Sequence, residues 1–513
     1  MAEAPEIVIG SGPAGVAAAA ALLARGQSVL LLDGGRRLEP EAEARRAALA
    51  ARDPDRWDDA ERDRWMQPQF AAAPGQVRRY GSDFAMERPE AVLAGPPDWF
   101  ALRASHAVGG LSNLWGAAVL PYAASDMAGW PISAADLAPH YRAVAQLMPI
   151  AGRSDELEAL FDALPMAGRR PIAPPPQAAE LLARIARGRQ RLARHGLTAG
   201  AARQAVDAAC RRCGLCLHGC PFGLIWKAGD ALARLAGDPR LDHRPGLLVQ
   251  RLEEDADGVT VHLRGGGTLS GARVFLGAGV LETARILMVS GLVPDQIRLR
   301  DSQHAFLPML HRWRNRVRPD RPPFHTLPQV FVELRAAEVS PHLVHAQLYT
   351  WNEHYARDLI ASHGRRLPLA APLLSALARR LIVAQIFLHS DHSHQIALRL
   401  DPAGLLAARL EPNPGLAATL EAAARRIGRG LGRIGLAALT FATRPGPPGS
   451  SFHAGASVPM AERPRAGQSD PLGRPAGSRR IHLVDATSLP AIPATTITLP
   501  VMANAHRIAA SAG

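Results

Sequence analysis

The chain has 513 residues, 47% apolar and 20% charged, a composition ordinary for a soluble globular protein and long enough for two intimately joined domains. Lys and Arg exceed Asp and Glu by 59 − 46 = 13, nearly all of it Arg scattered among Ala, Gly and Pro, which reads as a compositional habit and not as a nucleic-acid site. The functional share of that charge favours acidic substrates, an acidic electron-transfer partner or an anionic membrane surface.

The N-terminus enters a strand and a Gly-rich turn at once, with no basic and apolar leader, so no secretory signal is expected. Residues 6–33 read as strand, tight turn, Ala-rich helix and strand. Gly10, Gly12 and Gly15 make G-x-G-x-x-G after the first strand, and Asp33 ends the second. Gly10 permits the turn, Gly12 lets backbone approach a pyrophosphate, and Gly15 lets the helix lie close to the sheet. The helix N-terminus then faces phosphates, and Asp33 can accept from ribose hydroxyls. The fingerprint alone does not separate FAD from NAD. Residues 40–65 are charged and helical with too few large apolar positions for a core helix, so a lid or surface excursion is expected. A Gly-rich stretch at 107–118 precedes a helix start at Ser133 and Asp136, and Pro-rich linkers occupy 171–176 and 444–449.

All four cysteines fall in one run, Cys210, Cys213, Cys216 and Cys220, followed by Pro221. This is C-x2-C-x2-C-x3-C-P, the spacing of bacterial ferredoxins, in which a tight loop directs several thiolates at one cluster. Zinc and disulfides are the alternatives; zinc sites more often use two separated pairs. Four ligands favour [4Fe–4S], with [3Fe–4S] open.

Between 320 and 440 several runs, QVFVELRA and HQIALRLD among them, alternate as half-exposed antiparallel strands do. Leu367 to Leu388 is the most apolar stretch, but its two prolines and two arginines make a buried helix running into a strand the expectation. No run of eighteen apolar residues occurs, so no spanning helix is expected, and peripheral membrane contact stays open. HSDHSH at 389–394 suits a metal site, a polar cavity lining or an exposed turn. A cytoplasmic location follows by default.

Three segments carry a resemblance. IHLVDATSLPAIPATTITLPVMANAHRIA at the C-terminus, VFLGAGVLETARILMVSG at 274–291 and HAVGGLSNLWGAAVLPY at 106–122 resemble segments of the glucose–methanol–choline (GMC) oxidoreductases, in that family's order. The resemblance implies an α/β, Rossmann-like FAD-binding domain of GMC type, with an inserted α+β substrate domain on an antiparallel sheet. It implies bound FAD, with Gly109, Gly110, Ser112 and Asn113 along the pyrophosphate and flavin edge. Val249 would hold the adenine, Asp485 the ribityl–pyrophosphate region, and the ring would rest near Thr496 and Ile497. The implied division is 1–130 for the first FAD-binding part, with an excursion at 36–90, and 131–200 for a substrate or cap segment. Residues 201–300 hold the iron–sulfur loop and second FAD-binding part, 301–440 the substrate domain, and 441–513 the catalytic and FAD-binding end.

His453, in SSFHAGASVPM, sits where the family places its catalytic base, with Ser457 and Met460 at the family spacing. A neutral imidazole suits the removal of a hydroxyl proton. The family's partner Asn or His is replaced by Thr496, which can orient a substrate but not share a proton as an imidazole does; Asn504 and His506 lie farther along a helix and read as structural. The expected activity is oxidation of an alcohol group, of a sugar or polyol, by an FAD dehydrogenase. Its electrons would pass through the cluster to a ferredoxin- or cytochrome-like one-electron acceptor. A ferredoxin-driven reductase and a basic binding protein with a structural zinc are the alternatives.

Overall fold

The computed structural model describes residues 4–66, 79–87, 89–314, 319, 323–352 and 371–512. Five parallel strands form one sheet, in the order Ile481–Leu483, Arg273–Leu276, Glu6–Ile9, Val29–Asp33 and Leu241–Pro245. They come from the start, the middle and the end of the chain. The strands Glu6–Ile9 and Val29–Asp33 are buried at every position, as the uninterrupted apolar run of a sheet covered on both faces requires. The helix Pro13–Ala24 begins with Pro at its first turn, where the missing N–H costs nothing, and its alanines let it lie between the sheet and the helix Thr498–Ser511.

A second, antiparallel sheet runs in the order Leu436–Ala438, His304–His311, Leu381–Phe387, Ser340–Tyr349, Val330–Ala336 and Leu197–Ala201, with Arg444–Pro445 joined to His304–His311. One face, with Val330, Val332, Val344, Ala346, Ala384 and Ile386, packs against the helices Pro176–Ala193 and Leu416–Gly432. The other face carries Glu333, His345, Gln347, Phe387 and His304, all buried. HQIALRLD forms Gln395–Leu400 of another sheet, with Arg399 exposed, whereas for QVFVELRA the expectation of a half-exposed strand is corrected. The period of two is present, but the polar face meets protein: the turn at Asp126 and the loop bearing His453 cover it.

Local signals act where expected at the helix Ala134–Val144. Ser133 Oγ accepts from Asp136 N–H, and the Asp136 carboxylate accepts from Ser133 N–H at 2.8 Å, a closed capping box. The helix Ala371–Ala378 departs from expectation. It is largely exposed, with Leu373 at 70%, and only the following strand is core; residues 367–370 lie outside the described residues. No helix among the described residues is long and apolar enough to cross a membrane.

The charged stretch forms two helices, Pro40–Ala50 and Asp59–Met66, and these cover the cysteine loop; residues 67–78 and 88 of the excursion lie outside the described residues. Its few large apolar side chains, Leu49, Trp57 and Trp65 with Tyr80 and Phe84, pack together with Cys213 and Leu215. Trp57 stacks on Phe222 at 5.6 Å, Trp65 Nε1 donates to Gly219 O at 3.3 Å, and Arg62 donates to Cys213 O at 2.9 Å. Trp65→Ala should loosen this cover, since deleting a buried indole costs about 3–5 kcal/mol. Limited proteolysis should then cut faster within 40–66 and 210–222 and at unchanged rates elsewhere; an unaltered digestion pattern rules the cover out.

Candidate active site

A cleft opens at the C-terminal ends of the parallel strands. It is lined continuously from Asp33 and Val249, past Gly10–Ala14, Gly277–Glu282 and Asp485, to Ile497 and Phe452. Its floor depends on glycine at particular places. Gly10 has φ +103°, and a Cβ there would lie 2.3 Å from Gly277 O; a Cβ on Gly15 would lie 1.8 Å from Gly10 O. At Gly12 a Cβ would meet nothing within 4 Å, so its bareness serves what enters the cleft and not the packing. The second Gly-rich loop backs onto the first: Gly110, at φ +57°, would bring a Cβ to 3.4 Å from Gly12 Cα, and Gly109 N–H donates to Ser11 Oγ at 3.0 Å.

Several residues expected to touch a cofactor are engaged by the protein itself. Ser112 Oγ donates to Gly109 O and accepts from Ala228 N–H, and the Asn113 amide donates to Val108 O and Gly110 O. These two side chains shape the loop, and neither lines the cleft. Asp485 does line it, yet its carboxylate accepts from Gly279 N–H, Thr283 Oγ1 and Thr487 N–H, tying the middle of the chain to its end. Asp33 accepts from Gly35 N–H at 2.9 Å and faces His243 Nε2 at 3.2 Å. Sequence reading missed Glu282 in the cleft wall. Burial works to raise its pKa, but the His106 hydrogen bond and the Arg285 and Arg264 guanidiniums win and hold it down to about 2. Arg285 in turn donates to Val249 O at 2.7 Å, fixing the Val249 end of the cleft.

Beyond the inner end of the cleft stands the polar sheet face. Phe452 and Ala454 line the cleft, while His453 between them turns the other way and stacks on Phe387, centroids 5.0 Å apart. Burial, then the nearby His345 and His304, pushes His453 down to about 3, so it is neutral at ordinary pH. Its buried Nδ1 has no hydrogen-bond partner. Phe387 is also shared by His304, at 5.6 Å, and His345, at 5.9 Å. Tyr349 OH donates to Gln347 Oε1 and Gln385 Oε1, at 3.0 and 3.3 Å. Thr496 is buried, and its Oγ1 accepts from Leu120 N–H at 2.8 Å, which ties backbone. His506 meets His140 at 2.9 Å and Asn504 holds Arg507, both within the helical layer.

Cys210, Cys213, Cys216 and Cys220 line one small, enclosed, largely apolar cavity with Val206, Phe222 and Leu327. None is bonded to another. Burial, together with the other sulfurs, pushes Cys210 up to about 12 and also raises Cys213 and Cys216. Four thiolates there are tenable only around a positive centre. The HSDHSH segment forms a 3-10 turn, Ser390–His392, where His342 and His389 meet Asp391, whose other oxygen is taken by Arg300 at 3.1 Å.

No family model matches the chain, and no curated protein matches it. Among solved structures, pyridoxine 4-oxidase from Mesorbium loti superposes with a TM-score of 0.56 over 99% of this chain and 98% of that one, at 15% identity. That likeness is one of fold: a parallel sheet carrying a Gly-rich cleft, joined to antiparallel sheets.

The glycines give a paired prediction. Gly15→Ala should destabilise the chain outright, because its Cβ meets backbone that cannot give way. Gly12→Ala should fold with an unchanged melting temperature in the cofactor-free protein yet retain far less flavin, read from absorbance after gel filtration. Equal flavin retention in Gly12→Ala and the parent would show that nothing approaches this turn.

Proposed function

We propose that this protein is an FAD-dependent oxidoreductase of GMC type. It oxidises an alcohol on a neutral, polyhydroxylated molecule and exports electrons singly through an iron–sulfur cluster to an acceptor protein. One observation carries the reading: consecutive residues join two sites, Phe452 lining a dinucleotide cleft and His453 standing on the polar sheet face. The name of the structural neighbour, an oxidase of an alcohol, supports the same reaction class.

Gly10, Gly12, Val249 and Ile497 would hold FAD along the cleft, with Gly15 packing the helix beneath them, and the cofactor would supply a two-electron acceptor. Neutral His453 offers a lone pair for the hydroxyl proton, and stacking on Phe387 fixes the ring's orientation. Gln347, Gln385 and Tyr349 present amide and phenol groups that can donate to and accept from hydroxyls, which suits a sugar or polyol. Burial of Gln347, His304 and Phe387 would limit the water around the reacting carbon. Cys210, Cys213, Cys216 and Cys220 would hold the cluster, which would supply one-electron chemistry; their C-x2-C-x2-C-x3-C-P spacing and shared cavity support a cluster, and their number [4Fe–4S] over [3Fe–4S]. A flavin paired with such a centre favours a dehydrogenase over an oxidase.

The test is anaerobic bleaching of the bound flavin by a panel of sugars, polyols and simple alcohols. At least one should bleach it, and His453→Gln should keep the flavin while slowing bleaching by ~10²–10⁴-fold. Normal bleaching in His453→Gln removes it from the mechanism. The purified protein should contain about four iron and four sulfide per chain if the cluster is a cubane. Cys213→Ser should lower that content and stop reduction of a protein-sized one-electron acceptor while leaving single-turnover bleaching intact. Full turnover with such an acceptor by iron-free protein would make the loop structural.

A further inference from the structure

On the polar face, Glu333 and His345 stand opposite each other in the register of Val330–Ala336 and Ser340–Tyr349. His345 Nδ1 and Glu333 Oε1 are 2.7 Å apart, and both residues are essentially inaccessible, at 0% and 1% exposure. Each keeps one atom unpaired by protein: Glu333 Oε2 and His345 Nε2. A buried carboxylate with a single hydrogen bond is expensive, and a structural role would saturate it, as Asp485 is saturated. The groups around the pair are His453 and His304 across Phe387, and Asp126 from the turn that covers the strand end. Arg203 follows the strand Leu197–Ala201, with Arg335 farther along Glu333's own strand. Arg203 is fully buried with no hydrogen bond from its guanidinium, and it acts at a distance on Glu333, Asp155 and Glu158. It offsets charge without occupying the free oxygen.

Asp126 extends the line outward. Its Oδ1 accepts from Leu343 N–H at 3.2 Å, two residues before His345, and its Oδ2 is buried and unpartnered. Burial, with a contribution from Glu333, raises it to about 7, where a carboxyl can take up and release a proton. Ala124 and Ser125, immediately before it, are exposed.

We propose that His345, Glu333 and Asp126 form the exit path for protons from the active site to the surface at Ala124 and Ser125. The inference rests on the electron-exporting reading above. For each alcohol oxidised, one C–H and one O–H bond break and a carbonyl forms. Two electrons go to FAD and then singly to the one-electron acceptor, and two protons remain. The cysteine loop carries electrons only, so these protons leave the reacting groups by another route. His453 takes the first from the hydroxyl, and the path passes protons between imidazole and carboxyls, directly or through bound water. These are relay residues, apart from the base itself.

The test uses the holoprotein, the alcohol that bleaches it best, ferricyanide as acceptor and a pH indicator in weak buffer. Glu333→Gln keeps the acceptor for His345 Nδ1 and the side-chain shape. It should leave single-turnover bleaching within about twofold of the parent, while proton release and steady-state turnover fall together by tenfold or more. Asp126→Asn should do the same, and the double variant should be no slower than either, because the groups act in series. Proton release at the parental rate in both variants overturns the path. A bleaching rate that falls as far as turnover also overturns it, by assigning Glu333 to orientation of the reacting groups. Failure of the unsubstituted protein to be bleached by any alcohol is a different result and sinks the activity on which the path depends.

Discussion

A sheet buried on both faces leaves its polar side chains nowhere to go but into the interior, and the chemistry of this protein follows from that. The apolar face of the antiparallel sheet is settled by two helices. The opposite face then gathers two imidazoles, a carboxylate and two amides, with Asp126 on one side and His453 on the other. Such groups are costly unless paired, so those left half-paired mark where a ligand or a proton is expected. Phe452 lines the cleft of the parallel sheet, and the next residue, His453, stacks on Phe387 of this face.

The buried acids divide into two kinds. Asp485 and Glu282 are held by several donors each and serve as ties between distant parts of the chain; Glu282 joins His106, Arg264 and Arg285 in one network beside the cleft. Glu333 and Asp126 each hold one firm hydrogen bond and keep one free oxygen. The first pattern gives rigidity to the cleft, and the second leaves protons room to move.

What could be read from the sequence was local. The Gly10–Gly12–Gly15 turn, the Ser133–Asp136 cap and the grouping of the four cysteines rest on chemistry within a few residues, and the folded chain has each in place. What could not be read required knowing what lies against what. Alternation in Val330–Ala336 showed two faces but not that both are covered. Ser112 and Asn113 carried the right residue types for a cofactor loop, yet their side chains are spent on its own backbone. The pairing of Glu333 with His345 exists only through strand register, and a single sequence has no mark of it.

The cover over the cysteine loop has a consequence for assembly. Arg62 reaches Cys213 across a separation of 151 residues, and Trp65 reaches Gly219 across 154. During synthesis the two covering helices emerge long before the loop they close. Contacts at such separation form late, after the cost of closing the intervening chain has been met. The four thiols are therefore open to solution through an extended interval of the protein's making, and whatever is to be enclosed among them has to arrive before the tryptophans dock.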